Sequence, residues 1–247
     1  MKRINWKIIL AAFAVLVVSS VFAFVFWAGD ISPAADPALQ AMQSDSQVFA
    51  SAENGWVIFF PADEPQPEMG FIFYPGGRVD YRAYAPALRR IAAQGYFVAL
   101  VPVPLNLAFF DVNAAARVIA RYPEVQDWAV GGHSLGGVAA SSYAANHPDI
   151  KGVVFWASYP ANDALKLMDT KALSIYGTND GLATIATIDE SRTLLPADSQ
   201  FVAIEGGNHA QFASYGLQAG DNEAAISPEE QWTQVANATV EFLEGLK

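Results

Sequence analysis

The chain has 247 residues, 53% hydrophobic and 16% charged, with 18 Gly and 14 Pro, which fits one globular domain plus extras and excludes a disordered or fibrous chain. A formal net charge of −11 argues against a nucleic-acid partner. There is no cysteine, which excludes disulfides, thiolate metal sites, a lipidated cysteine anchor and a cysteine nucleophile.

At the N-terminus, "MKRINWK" precedes the uncharged run "IILAAFAVLVVSSVFAFVFWA", residues 8–28. As a helix, this run spans roughly 31 Å, about one hydrocarbon core. Trp6 and Trp27 fall near the two expected interfaces, where indole rings are favoured. Lys2, Arg3 and Lys7 come before the run, and no Lys or Arg follows until Arg78, whereas seven acidic residues lie between Asp30 and Glu68. This asymmetry orients the N-terminus to the cytoplasm and the rest of the chain to the extracytoplasmic side of the cell membrane. The competing reading is a signal peptide cut after Val21-Phe22-Ala23, giving a secreted protein; its apolar region would be unusually long. The expected division is an anchor at 1–28, a Pro-, Asp- and Ser-rich linker at 29–46, and a catalytic domain at 47–247.

From residue 47 the pattern alternates. "QVFASA" and "GWVIFFPA" flank Asn54-Gly55, a hairpin signal. "MGFIFYP" at 69–75 is a buried strand, 81–95 has helical spacing, "YFVALVPV" is a strand, and 106–122 reads as helix. "DWAVGG", "KGVVFWAS", "ALSIYG" and "SQFVAIEG" are further strands, with helices after the first and near 184–195. Ser227-Pro228-Glu229-Glu230 opens a closing helix with a capping box. An antiparallel start followed by alternating apolar strands and helices predicts an α/β fold, with a mostly parallel sheet of about seven or eight strands covered on both faces.

Within "GGHSLGG", residues 131–137, the segment Gly132-His133-Ser134-Leu135-Gly136 fits G-x-S-x-G. It lies between a buried strand and a helix of small residues, where a nucleophile elbow turns sharply and holds its serine at the strained tip. The flanking positions must be tiny, because a Cβ there would strike the adjacent helix and strand. The bland alternative is an ordinary N-cap serine in a Gly-rich turn.

A serine nucleophile needs a base. Three histidines are present. His133 is adjacent to Ser134, so the turn aims it elsewhere, and His147 lies roughly 20 Å along the following helix. His209, in "GGNHAQF" after the last strand, is the base by elimination, since catalytic groups of open α/β sheets gather at that edge. Asp180, in "TNDG" after "ALSIYG", is the candidate acid that holds the histidine's tautomer, with Asp163, Asp169 and Asp189 as alternatives. The oxyanion donors expected are the backbone N–H of Leu135 and that of Gly77 or Arg78 in "YPGGRVD". The Arg78 side chain could also meet an acidic substrate group or simply be solvated.

Taken together, "GGHSLGG", "GTNDG" and "GGNHAQF" resemble the α/β-hydrolase superfamily in the order Ser, Asp, His. "YPGG" before a Tyr-rich helix and "YGLQAGDNEAAIS" after the histidine are similar to the small bacterial branch of alpha/beta hydrolase fold-5 type, related to dienelactone hydrolases. The resemblance covers residues 50–246 or so. It implies Ser134 as nucleophile, Asp180 as acid, His209 as base, and oxyanion donors at Leu135 and the Gly77–Arg78 turn. The cysteine nucleophile of dienelactone hydrolases has no counterpart here, so their substrate does not transfer.

The expected function is thus a membrane-anchored serine hydrolase of carboxylesterase type acting on a small-molecule ester, thioester or amide, with no cofactor and no metal. A cofactor-free perhydrolase or acyltransferase and a non-catalytic binding module are the alternatives. About 13 residues separate the strands ending near Ser158 and beginning near Ala172, room for a loop and one short helix but no cap domain. The residues after His209 are the remaining candidate cover, with Phe212 and Tyr215 either walling a pocket or packing on the domain. An open, shallow site favours short acyl groups and no rate jump at an interface.

Overall fold

The computed structural model describes residues 6–63 and 67–247. Lys2 and Arg3, on which part of the orientation argument rests, lie outside the described residues. Helix α1, Trp6–Gly29, is long and apolar enough to cross a membrane, and every described residue before Ala28 is exposed.

The residues expected to be a linker are laid against the domain. Ser32 bridges Val79, the Ala35 N–H donates to the Ser214 carbonyl, and helix α2, Asp36–Ala41, buries Ala38. The Arg89 guanidinium then ties down the far end, donating to the Ala41 and Gln43 carbonyls and pairing with Asp45. Composition showed the turn residues of this segment, but not the partners waiting on the domain surface.

Strands β1 (Val48–Glu53) and β2 (Trp56–Pro61) pair antiparallel through the Asn54-Gly55 turn, where both residues have positive φ, 53° and 83°. Strands β3 (Met69–Tyr74), β4 (Phe97–Leu100), β5 (Asp127–His133), β6 (Ile150–Trp156), β7 (Lys171–Gly177) and β8 (Gln200–Ile204) complete an eight-stranded sheet in the order β1-β2-β4-β3-β5-β6-β7-β8. Every pairing from β4 to β8 is parallel.

The period-two alternation of these strands feeds both faces. Phe71 and Phe73 point into the cluster under α3 (Ala85–Ala92) and α7 (Pro228–Glu244), while Ile72 and Tyr74 join the opposite cluster under α4 (Ala114–Arg121) and α5 (Leu135–Ala144). The Ser227 hydroxyl caps α7 by accepting from the Glu230 N–H at 3.2 Å. Two expected helices are shorter than their patterns: 81–95 begins as a 3₁₀ turn, and of 106–122 only Ala114–Arg121 is α-helical. The earlier part, 104–111, forms 3₁₀ turns in which Leu105 and Asn106 take φ of 53°. The β6–β7 connection holds turns and no helix.

From β3 the chain crosses to β4 on one side and returns to β5 on the other. The strand order therefore reverses between β3 and β5, the position at which open α/β sheets form their crevice.

Candidate active site

The turn from β5 into α5 places Ser134 at that reversal with φ 50° and ψ −121°, a backbone region that costs a non-glycine residue about 1–3 kcal/mol. The glycines explain how the turn closes. A Cβ on Gly132 would lie 2.2 Å from the Gly136 carbonyl carbon, and one on Gly136 would lie 2.2 Å from the Tyr74 carbonyl oxygen. The Ser158 hydroxyl donates to the Ser134 carbonyl at 2.6 Å and pins the turn to the end of β6.

Two other strand ends bring up a histidine and a carboxylate. Asp180, after β7, is buried; its Oδ1 accepts from the Leu182 and Ala183 N–H groups, each at 2.7 Å. Its Oδ2 lies 2.9 Å from Nδ1 of His209, which is also buried and follows β8. Facing a carboxylate, Nδ1 carries the proton and Nε2 is left as the basic nitrogen. Ser134 and His209 line the same cavity, with no hydrogen bond between them. Asp163, Asp169 and Asp189 are exposed, and Asp189 pairs with Arg192, so none of them is placed like Asp180.

The turn after β3 supplies backbone donors. The Gly76 N–H is taken by the Tyr84 hydroxyl at 2.9 Å, and the Arg78 N–H by the Asn106 carbonyl at 2.8 Å. The Gly77 N–H has no acceptor among the described residues, and a Cβ there would lie 2.6 Å from Leu135 Cδ1. Leu135 opens α5, where first-turn N–H groups lack intrahelical acceptors. Of the three expected donors, Arg78 is the one already engaged. Its side chain is engaged too: the guanidinium donates to the Asp30 carbonyl and carboxylate and lies over the Trp27 ring at 4.8 Å.

His133 packs behind the site. Its ring centroid is 4.4 Å from that of His209 and it stacks on Phe212. Because the Tyr84 hydroxyl accepts from Gly76, its own proton is free for His133 Nδ1, 2.9 Å away. Burial holds the His133 pKa well below the usual 6.5, and electrostatic repulsion between the two imidazoles lowers it further, against a smaller opposing contribution from the His209 backbone. His133 is therefore held neutral, and it packs between the Tyr84 hydroxyl that holds the Gly76 turn and the ring of His209. His147 stands apart at the other end of α5, its Nδ1 donating to the Tyr143 carbonyl at 2.8 Å.

Asp221 escaped the sequence reading. Its Oδ1 accepts from the Gly181 N–H at 3.0 Å and its Oδ2 from the Ala210 N–H at 2.8 Å, stapling the Asp180 turn to the His209 turn. Its only sequence signal is the Gly220-Asp221-Asn222 turn. The cavity, about 290 Å³, is lined by Ser134, Leu135, Tyr159, Leu182, His209 and Gln218 among others. Phe212 and Tyr215 are buried and do not line it; Gln218 comes from the same segment in their place.

This fold and arrangement define an α/β hydrolase. Residues 70–233 match the model of the alpha/beta hydrolase family, and the chain belongs to that family. An esterase domain from a Rhodothermus marinus protein is similar in structure, with TM-score 0.60 and 16% identity over 80% of this chain and 97% of that one. A predicted CIB-like hydrolase from Thermoplasma acidophilum has TM-score 0.58 and 16% identity over 80% of this chain and 99% of its own. Est1E from Butyrivibrio proteoclasticus has TM-score 0.58 and 14% identity over 81% and 99% respectively. No curated protein matches the chain.

Proposed function

We propose that the protein is a membrane-anchored serine hydrolase of carboxylesterase type that works through an acyl-enzyme. Residues 1–28 form the anchor, with the N-terminus in the cytoplasm, and 47–247 the extracytoplasmic catalytic domain. The observation that carries the chemistry is the buried His209–Asp180 pair at 2.9 Å opening onto the cavity that also holds the strained Ser134.

Ser134 Oγ attacks the ester carbonyl as its proton passes to His209 Nε2, while Asp180 stabilises the imidazolium. The tetrahedral oxyanion is met by the Leu135 and Gly77 N–H groups, each contributing roughly 10²–10³ in rate. His209 returns the proton to the departing alcohol, and water then repeats the sequence on the acyl-enzyme. A cavity of about 290 Å³ with a half-buried serine suits a short acyl group. The similarity to the esterase domain from Rhodothermus marinus points the same way.

A fluorophosphonate probe and p-nitrophenyl acetate test this reading. Wild type should label and turn over, and Ser134→Ala should lose labelling and about 10⁶ in kcat. Undiminished turnover in Ser134→Ala removes the reading, and an unlabelled wild type leaves a non-catalytic module.

A further inference from the structure

The apolar anchor does not leave the domain at an arbitrary place. Ala28, in the last turn of α1, accepts through its carbonyl from the Asn106 side-chain amide at 3.3 Å, and Asp30 is held by Arg78. Both contacts fall on the loops beside the cavity: Arg78 adjoins Gly77, and a Cβ on Gly77 would touch Leu135 and Leu107. The exit of the anchor is thus a few residues from the serine.

An exposed apolar patch continues from that exit. Phe110 meets Phe24 of α1 edge-on at 6.1 Å and Phe109 at 4.5 Å, and Phe109, Phe110, Leu105 and Leu135 are all about half exposed. Leu217, 90% exposed, lines a second cavity of about 320 Å³ together with Asp30 and Arg78, and Gln218 lines both this cavity and that of Ser134. Single exposed apolar residues are ordinary on soluble proteins, but a contiguous set is not. The charges bordering the patch are paired, Arg78 with Asp30 and Arg117 with Asp111. Phe24 lies about 7.5 Å along the helix from Gly29, which sets Phe110 near the depth where hydrocarbon begins if α1 spans.

Resting on the anchor reading, we infer that the rim of the active site, through Leu105, Phe109, Phe110, Leu135 and Leu217, is seated on the outer surface of the lipid bilayer, and that the substrate is an ester carried by a membrane-resident amphiphile. The small cavity takes the acyl group while the apolar remainder stays in the leaflet. This departs from the lidless, water-facing site indifferent to an interface that chain connectivity implied.

The absence of cysteine permits single reporters in the full-length chain. An environment-sensitive fluorophore would be placed at Phe110→Cys, Leu217→Cys, Leu16→Cys in α1 and Asp149→Cys at the opposite sheet edge. The variants would be reconstituted in phosphatidylcholine vesicles with or without brominated acyl chains. Brominated lipid should quench positions 16, 110 and 217 by about twofold or more and leave 149 nearly unchanged. Quenching at 16 with 110 and 217 behaving like 149 overturns the seating alone; no quenching at 16 overturns the anchor reading and the seating with it. In a second arm, Phe109→Ser with Phe110→Ser should lower the ratio of vesicle-borne to soluble ester turnover about tenfold. An unchanged ratio overturns the substrate class.

Discussion

Each end of the parallel strands has a cavity lined by a histidine, and the two differ in what matters for chemistry. At the C-terminal edge the cavity is about 290 Å³, and His209 is buried against a buried carboxylate. At the N-terminal edge the cavity is larger, about 610 Å³, and carries His147 with Asp127 and Asp149. There the histidine is half-buried, stacked on Tyr143 at 3.9 Å and spent on a backbone carbonyl, while Asp127 faces Lys151 at 3.3 Å. Backbone strain divides the same way. Among the described residues, six non-glycines have positive φ; Arg78, Leu105, Asn106, Ser134 and Ala157 follow the ends of parallel strands, and Asn54 sits in the hairpin. Cavity size is thus a poor guide to a site. Strain held in place by packing, and an acid–base pair removed from water, mark it better.

The largest effect expected beyond loss of the serine is at Asp180. Asp180→Asn keeps the shape of the pair but reverses which nitrogen of His209 is protonated, so kcat/KM should fall about 10⁴-fold. The same change at Asp149 should do nothing measurable. Steady-state kinetics on one soluble ester decide it, and full activity in Asp180→Asn would erase the distinction between the edges.

A smaller effect is expected in stability. The folded-state pKa of His133 is depressed by burial, so the unfolded chain binds the proton more readily. Stability is then fully present above about pH 6.5 and is lost as pH falls below it, by up to about 1.4 kcal/mol per pH unit for this group. Urea melts at pH 5 and pH 7 should show a steeper loss in wild type than in His133→Phe. Equal slopes would mean that His133 charges freely and is not held neutral between Tyr84 and His209.

The smallest effect belongs to the other edge. His147→Ala removes one ring contact and one hydrogen bond to a helix carbonyl, costing about 1 kcal/mol, and should leave kcat within a few-fold. A loss of activity comparable to that of Asp180→Asn would make the N-terminal cavity a site in its own right.

Much of this architecture is legible in the chain. The hairpin at Asn54-Gly55, the apolar strands and the Ser227 cap are local signals, read from residues a few positions apart, and the elbow glycines declare a close approach without saying what approaches. Which strand neighbours which is not local: β3 lies between β4 and β5 although it precedes both, and that reversal is what gives the crevice its place.

What the sequence by itself determined is the set of candidates: one serine in a Gly-rich turn, one histidine and one Asp after late strands, one long apolar helix. Each follows from short-range rules of backbone sterics, periodicity and length. The tertiary structure decided which of them are partners. It committed the Arg78 N–H to Asn106 and left that of Gly77 without an acceptor among the described residues, and it made Asp221 the staple between two turns. It also folded the supposed linker onto the domain and brought the end of the apolar helix to the rim of the cavity. The physical reason is the same in each case. A hydrogen bond or ion pair between segments tens of residues apart is chosen by how the sheet and its loops pack, and no local pattern in the chain records the choice.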